Sequence, residues 1–307
     1  MDFPILDDAT RLARLAPPAG PVEMVVDTDT YNEIDDQFAV VYSLLSPERL
    51  AVRALYAAPF HNERSAGPGD GMVKSYEEIL RLLERMGRRA DGLVFRGSDR
   101  WMAAPADPVA SDAAGDLVAR AMADRDGPLY VVAIGAITNV ASALLIEPRL
   151  VERIVVVWLA GQPHYWHTAR EFNLSQDLHA SRVILQSGVP FVHVPCTHVA
   201  QLLRTTVGEL TMDMGDAGSI GRFLFERFCA FRPNHFAAAK EIWDLAPVAW
   251  LVNPSWLRST LVHTPVLTDQ HTWSPAPFSP LMRVAMDCNR NAVFADVFTK
   301  LKEQARS

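Results

Sequence analysis

Apolar and polar positions alternate between two periods along this chain. Short, predominantly apolar runs at residues 22–26 and 154–158 predict strands buried on both faces. Residues 52–56, 129–134 and Phe191–Val194 are shorter or weaker runs of the same kind. Between them, residues 36–45, 73–86, 112–123, 139–145 and 178–186 place apolar side chains at i, i+3 and i+4, the spacing of a helix with one buried stripe. Strand and helix therefore alternate. That order predicts an α/β fold: a single domain over residues 1–307, with a mostly parallel, Rossmann-like sheet and helices on both faces. Ligands of such sheets sit beyond the carboxyl ends of the strands, so the polar residues that follow each strand are the ones to read for chemistry.

Composition narrows the possibilities. The 307 residues are 49% hydrophobic and 21% charged, the balance of a globular protein. A formal net charge of −7 gives no basic surplus for a nucleic-acid surface. Cys196, Cys229 and Cys288 are too few and too scattered for a disulfide framework or a zinc cluster. Asp2, Asp7 and Asp8 stand where a secretory signal would be basic, and no run approaches the roughly 20 apolar residues that cross a bilayer. The expectation is a cytoplasmic protein with no membrane or nucleic-acid partner. Pro and Gly gather at residues 16–21, 67–71 and 274–280; the second stretch reads as a loop on the substrate side and the third as a connection between two late strands.

The chemistry begins where the first strand ends. Asp27-Thr28-Asp29-Thr30-Tyr31-Asn32-Glu33-Ile34-Asp35-Asp36 holds four aspartates and a glutamate within ten residues, followed directly by an apolar helix. So many carboxylates repel one another unless a counter-charge sits among them, and hard cations such as calcium or magnesium take carboxylate oxygens. Taken alone, Asp35 also fits a helix cap, and the remainder a solvated turn.

This loop resembles the DxDxxxDD signature that nucleoside hydrolases carry after their first strand, with two more residues between the aspartate pairs. The DxDx[TV] signature of haloacid-dehalogenase-like phosphatases is a rival, opposed by Tyr31 at its final position. Later segments match the hydrolases in order. Gly135-Ala136-Ile137-Thr138-Asn139 looks like the GPLTN turn of that family, Leu159-Ala160-Gly161 like its MGG turn, and Glu171-Phe172-Asn173 with Asp177 like its EFN…D segment. Ile242-Trp243-Asp244-Leu245-Ala246-Pro247 resembles its HDP…V segment, with a tryptophan where many members have a histidine.

The resemblance implies calcium held by Asp29, Asp36, Asp244 and the carbonyl of Thr138, and Asp29 as the base that activates water. It implies that Asp35, Asn62, Glu171 and Asn173 grip the ribose. Trp243, with Trp166, is expected to sandwich a base, which leans toward purines and purine salvage. His164 and His167 are candidates for stacking on that base or for giving it a proton. Taken singly, Thr138 and Asp244 also read as helix caps and Trp243 as a core aromatic. Relatives assemble as dimers or tetramers, and the apolar stretch 293–301 is a candidate interface or a piece of core. The activity implied is hydrolysis of the N-glycosidic bond of a ribonucleoside. A nucleoside- or ribose-binding protein without turnover, or a magnesium-dependent phosphatase, are the competing readings.

Overall fold

In a computed structural model, which describes residues 2–215 and 217–306, twelve strands are defined. They are β1 (Val22–Thr28), β2 (Leu50–Ala57), β3 (Val94–Arg96), β4 (Leu129–Ala133), β5 (Ile154–Leu159), β6 (Phe191–Val194), β7 (Arg204–Thr205), β8 (Lys240–Glu241), β9 (Ser259–His263), β10 (Val266–Leu267), β11 (Trp273–Ser274) and β12 (Leu281–Ala285). Eight of them form one sheet in the order β3-β2-β1-β4-β5-β6-β12-β9. Every neighbour in it is parallel except the edge pair, where β9 runs antiparallel to β12. Alternate residues serve opposite faces: Val26, Val132 and Val157 enter one apolar core, Val25, Val131 and Val156 the other. Apolar core covers both faces of the sheet, which is why the central strands read as mostly apolar runs.

The chain leaves β1 toward β2 and β3 on one side, then returns to β4, β5 and β6 on the other. The reversal between β1 and β4 opens a crevice at their carboxyl ends, the usual ligand position in an open α/β sheet. The acidic loop emerges there.

Three sequence expectations change in detail. Strand β1 continues through Asp27 and Thr28, both fully buried; Asn139 Nδ2 donates to Asp27 Oδ1 at 2.7 Å and so partners one of the two oxygens of this buried carboxyl. The stretch 67–71 is not a substrate-side loop: it opens the helix Pro68–Arg85, with Pro at its first position. Gly71 is obligatory in that turn, since a Cβ there would lie 2.0 Å from the Phe60 carbonyl oxygen. The apolar stretch 293–301 belongs to the helix Arg290–Gln304, whose Val293, Phe294, Val297, Phe298 and Leu301 are buried in the core. Stretch 274–280 does connect two late strands, β11 and β12. Among the described residues no helix is long and apolar enough to cross a membrane.

Candidate active site

A cavity of about 480 Å³ lies at the crevice, and its walls come from the ends of β1, β2, β4, β5 and β6 and from the start of the helix Leu245–Val252. Asp29, Asp35, Asp36, Asn62, Glu171, Asn173, Trp243 and Asp244, eight of the residues picked from sequence, line it.

The acidic loop is built to present carboxylates rather than to hide them. Asp35 and Asp36 form the first turn of the helix Asp35–Leu44, where the dipole favours negative charge, yet neither caps it: the cap position is Ile34, with no side-chain bond. Asp244 sits at the cap of the helix Leu245–Val252, and its carboxylate likewise makes no capping bond. The helix-cap readings of Asp35 and Asp244 therefore fall. Carboxylate oxygens of Asp35, Asp36 and Asp244, all buried, come within 4.8 Å of one another. Thr28 Oγ1 donates to Asp36 Oδ1 at 2.5 Å. Both oxygens of Asp29 are buried without a hydrogen-bond partner.

Burial and mutual repulsion raise the pKa of every aspartate in the group. Desolvation is the largest cause for Asp29, Asp35, Asp36 and Asp244, followed by the neighbouring carboxylates, except at Asp35, where the Lys240 ammonium pulls back. Asp35, Asp36 and Asp244 stand close enough that bare carboxylates are tolerated there only with a proton or a cation among them. Orphaned oxygens on Asp29 and three converging carboxylates are an oxygen-only donor set that suits a hard divalent cation such as calcium.

Around this centre the strand ends are cross-tied. Asn139 donates to Asp27 and to the Ala57 carbonyl (3.3 Å), and its Oδ1 accepts from the Ser98 backbone (2.7 Å) and hydroxyl (2.8 Å). One side chain thus joins the ends of β1 and β2 and the turn after β3. Gly135 follows β4 closely enough that a Cβ would come within 3.0 Å of the Asp29 carboxyl carbon. Thr138 spends its hydroxyl on Asp177 Oδ2 (2.8 Å), leaving only its carbonyl for any cation; the helix cap before it is Ile137, not Thr138. Asp177 also receives the Met102 and Ala180 backbone N–H groups, so it organises loops.

The sugar-gripping candidates differ in how free they are. Glu171 receives N–H bonds from Gly161 (2.8 Å), Asn173 (3.0 Å) and Leu174 (3.1 Å), and it caps the helix Phe172–Gln176. Asn173 Nδ2 donates to the carbonyls of Ile134 (3.2 Å) and Leu159 (3.0 Å), at the ends of β4 and β5, which leaves its Oδ1 for a ligand. Asn62 donates to Asn32 Oδ1 at 2.6 Å and so ties the acidic loop to the end of β2.

The aromatic loop after β5 does not reach the cavity. His164, Trp166 and His167 are absent from its walls. His193 Nε2 lies 2.6 Å from the Ala160 carbonyl, which only accepts, so His193 Nδ1 is an acceptor and His164 Nε2, at 3.2 Å, must carry the hydrogen. Both rings are neutral and stacked, with centres 5.2 Å apart; burial lowers His164 to about 4 and His193 to about 3. Trp166 packs on His167 and His198 instead.

Several wall residues were not singled out from sequence: Asn32 and Glu33 of the acidic loop, Glu63, Gln162, Phe172, and Cys196 with Thr197. Cys196 and Thr197 directly follow β6, the position the strand-end rule flags, and were legible on that ground alone. Lys240 gave no signal. Its buried ammonium pairs with Glu33 Oε2 at 2.6 Å and lies 5.9 Å from the Trp243 ring centre.

Comparison with known proteins agrees with this geometry. Residues 24–295 match the family model described as inosine-uridine preferring nucleoside hydrolase. A pyrimidine-specific ribonucleoside hydrolase RihA of Klebsiella pneumoniae (strain 342) is 29% identical over 262 residues, covering 75% of this chain and 79% of the relative. Among solved structures, a plant nucleoside hydrolase (PpNRh1) superposes with a TM-score of 0.72 at 22% identity, over 92% of this chain and 99% of that one. A purine-preferring ribonucleoside hydrolase from Gardnerella vaginalis gives 0.72 at 17% identity over the same shares.

Proposed function

The chain belongs to the inosine-uridine preferring nucleoside hydrolase family and is an N-ribohydrolase acting on small nucleoside substrates, and from that premise we propose that it works with calcium and with Asp29 as the base. The phosphatase reading and the reading as a binder without turnover give way to this family membership. The observation that carries the proposal is the meeting of Asp35, Asp36 and Asp244 beside the unpartnered Asp29 carboxylate, at the topological switch of the sheet.

Asp36 and Asp244, with Asp29 and the Thr138 carbonyl, would hold the ion, and Asp35 completes the set that the geometry offers. Calcium held by these residues would supply the positive charge that keeps the surrounding aspartates ionised and lowers the cost of deprotonating a nearby water. Asp29 takes the proton of the attacking water; its free, buried oxygens make it a strong acceptor once ionised. Asp35, Asn62 and the free Oδ1 of Asn173 bind ribose hydroxyls. Glu171 holds the 159–161 and 171–174 turns through three backbone donors, and its Oε1, with a single donor, keeps a lone pair for a ribose hydroxyl. Trp243, half-buried on the cavity wall, stacks on the base. An indole N–H is not an acid, so the departing base takes its proton from solvent.

Trp243 favours purines, whose two rings offer the larger face for stacking. Relatives named as pyrimidine-specific favour the other choice. A reducing-sugar assay with calcium over inosine, adenosine, guanosine, uridine and cytidine separates them, and release of ribose from the purines foremost is the expected result. Replacing Trp243 by alanine is expected to raise KM about tenfold, the worth of one stacked base, with a smaller change in kcat. An unchanged KM would remove Trp243 from the base site.

Calcium removal has a pH signature. Burial raises Asp35 to about 6, Asp27 to about 7 and Asp36 to about 8, above their unfolded values near 4. Between those limits the metal-free native state binds more protons than the unfolded chain, so its stability falls as pH rises from about 4 to about 8. Melting in a chelator is expected to drop by about 5 °C from pH 5 to pH 8, and saturating calcium at pH 8 to reverse it. Melting curves that ignore both pH and calcium would contradict the cation assignment.

A further inference from the structure

The extended acidic loop places Glu33 on the cavity wall, and its two carboxylate oxygens have different fates. Oε2 is held at 2.6 Å by Lys240, whose side chain is only 6% exposed. Lys240 also donates to the Glu241 carbonyl at 2.8 Å and lies over the rings of Phe231 (5.3 Å) and Trp243 (5.9 Å). One buried ammonium therefore touches both the loop carboxylate and the wall that carries the stacking tryptophan. Oε1 of Glu33 receives no hydrogen bond from any described residue, and the side chain is 39% exposed. Asn32 next to it is locked to Asn62, so the loop cannot swing away freely. Among the described residues, no lysine, arginine or histidine lines the cavity. What remains at the base end is a fixed, charged hydrogen-bond acceptor.

We propose that Glu33 determines specificity by accepting a hydrogen bond from an exocyclic amino group of the base, with Lys240 as the residue that positions it. This rests on the nucleoside reading above and cuts across the purine–pyrimidine question. Cytosine and adenine present an amino donor where uracil and hypoxanthine present a carbonyl oxygen. A carboxylate facing the amino group gains a charge-assisted bond, while facing the carbonyl it leaves two acceptors opposed and one unpaired. Cytidine is therefore preferred to uridine, and adenosine to inosine.

The test measures kcat/KM with calcium for these four nucleosides in the wild type, Glu33→Gln, Lys240→Met and Lys240→Arg. The wild type is expected to favour the amino-bearing member of each hydrolysed pair by about tenfold or more, the usual scale for a charged hydrogen bond. Glu33→Gln brings the ratio toward one, since an amide can turn either its donor or its acceptor to the base. Lys240→Met lowers the ratio similarly and Lys240→Arg recovers part of it. A wild-type ratio near one, or variants that scale all four substrates by the same factor, overturns the proposal: a merely structural ion pair would change them alike. If the wild type releases ribose from none of the four, the nucleoside reading fails and this inference falls with it. Hydrolysis without discrimination sinks the inference alone.

Discussion

Asp29→Asn is expected to lower kcat by roughly 10³-fold at saturating calcium, within the range that a general base contributes. The amide keeps the size of the side chain, so the Gly135 backbone packed against it need not move. What is lost is the ability to take a proton from water. Stability is expected to move the other way in metal-free protein, because the substitution removes one of four crowded carboxylates, and burial together with repulsion from Asp36 and Asp35 raises the pKa of Asp29. Single-turnover kinetics with parallel thermal melts check both halves. Turnover within tenfold of wild type in a folded Asp29→Asn protein would exclude Asp29 as the base.

Asp244→Ala is expected to weaken calcium binding by about two orders of magnitude or more, as affinity of such oxygen sites follows the number of ligand charges. Activity should fall with it and recover in part at high calcium. The helix behind the residue is not at risk on this account, since Asp244 makes no capping bond there. Its apolar residues Leu245, Val248, Ala249 and Trp250 are fully buried and hold the helix regardless. Calorimetric titration of calcium into the variant gives the affinity directly. Binding at wild-type strength would mean that the ion, if it binds, uses other ligands.

The two substitutions differ in what added calcium does. Loss of a base is not repaired by more ion, whereas loss of a ligand is, in part. Asp29 is assigned both roles, so rescue of Asp29→Asn by calcium would leave it a ligand of the ion and remove it as the proton acceptor.

How much of the site could be read from the chain varied with the kind of residue. Asp29, Asp35, Asp36 and Asp244 stand at strand ends and helix starts, where local pattern places a side chain at the rim of the sheet. Glu171 and Asn173 were also legible as wall residues, but not their division of labour: three backbone donors occupy Glu171, and only the fold shows which N–H groups point at it. His164 shows the opposite case. A histidine in an aromatic loop after a strand is a reasonable proton donor, yet His164 stacks on His193 away from the cavity wall and burial keeps it neutral. Nothing local to residues 164–167 contains that information, because His193 is a neighbour only through the pairing of β5 and β6.

Local order along this chain, by itself, determined the alternation of buried strands and one-sided helices, the parallel sheet that follows from it, and the clustering of carboxylates after β1. Those depend on periodicity and on the charge of adjacent residues, which act over a few positions. Tertiary structure alone decided that Asp244 meets Asp35 and Asp36, that Asn139 bonds one oxygen of the buried Asp27, and that Lys240 pins Glu33 beside Trp243. The physical reason is burial. A carboxylate or ammonium far along the chain acquires its partner, its acidity and its role only when the fold strips away water and brings a second charge within a few ångström.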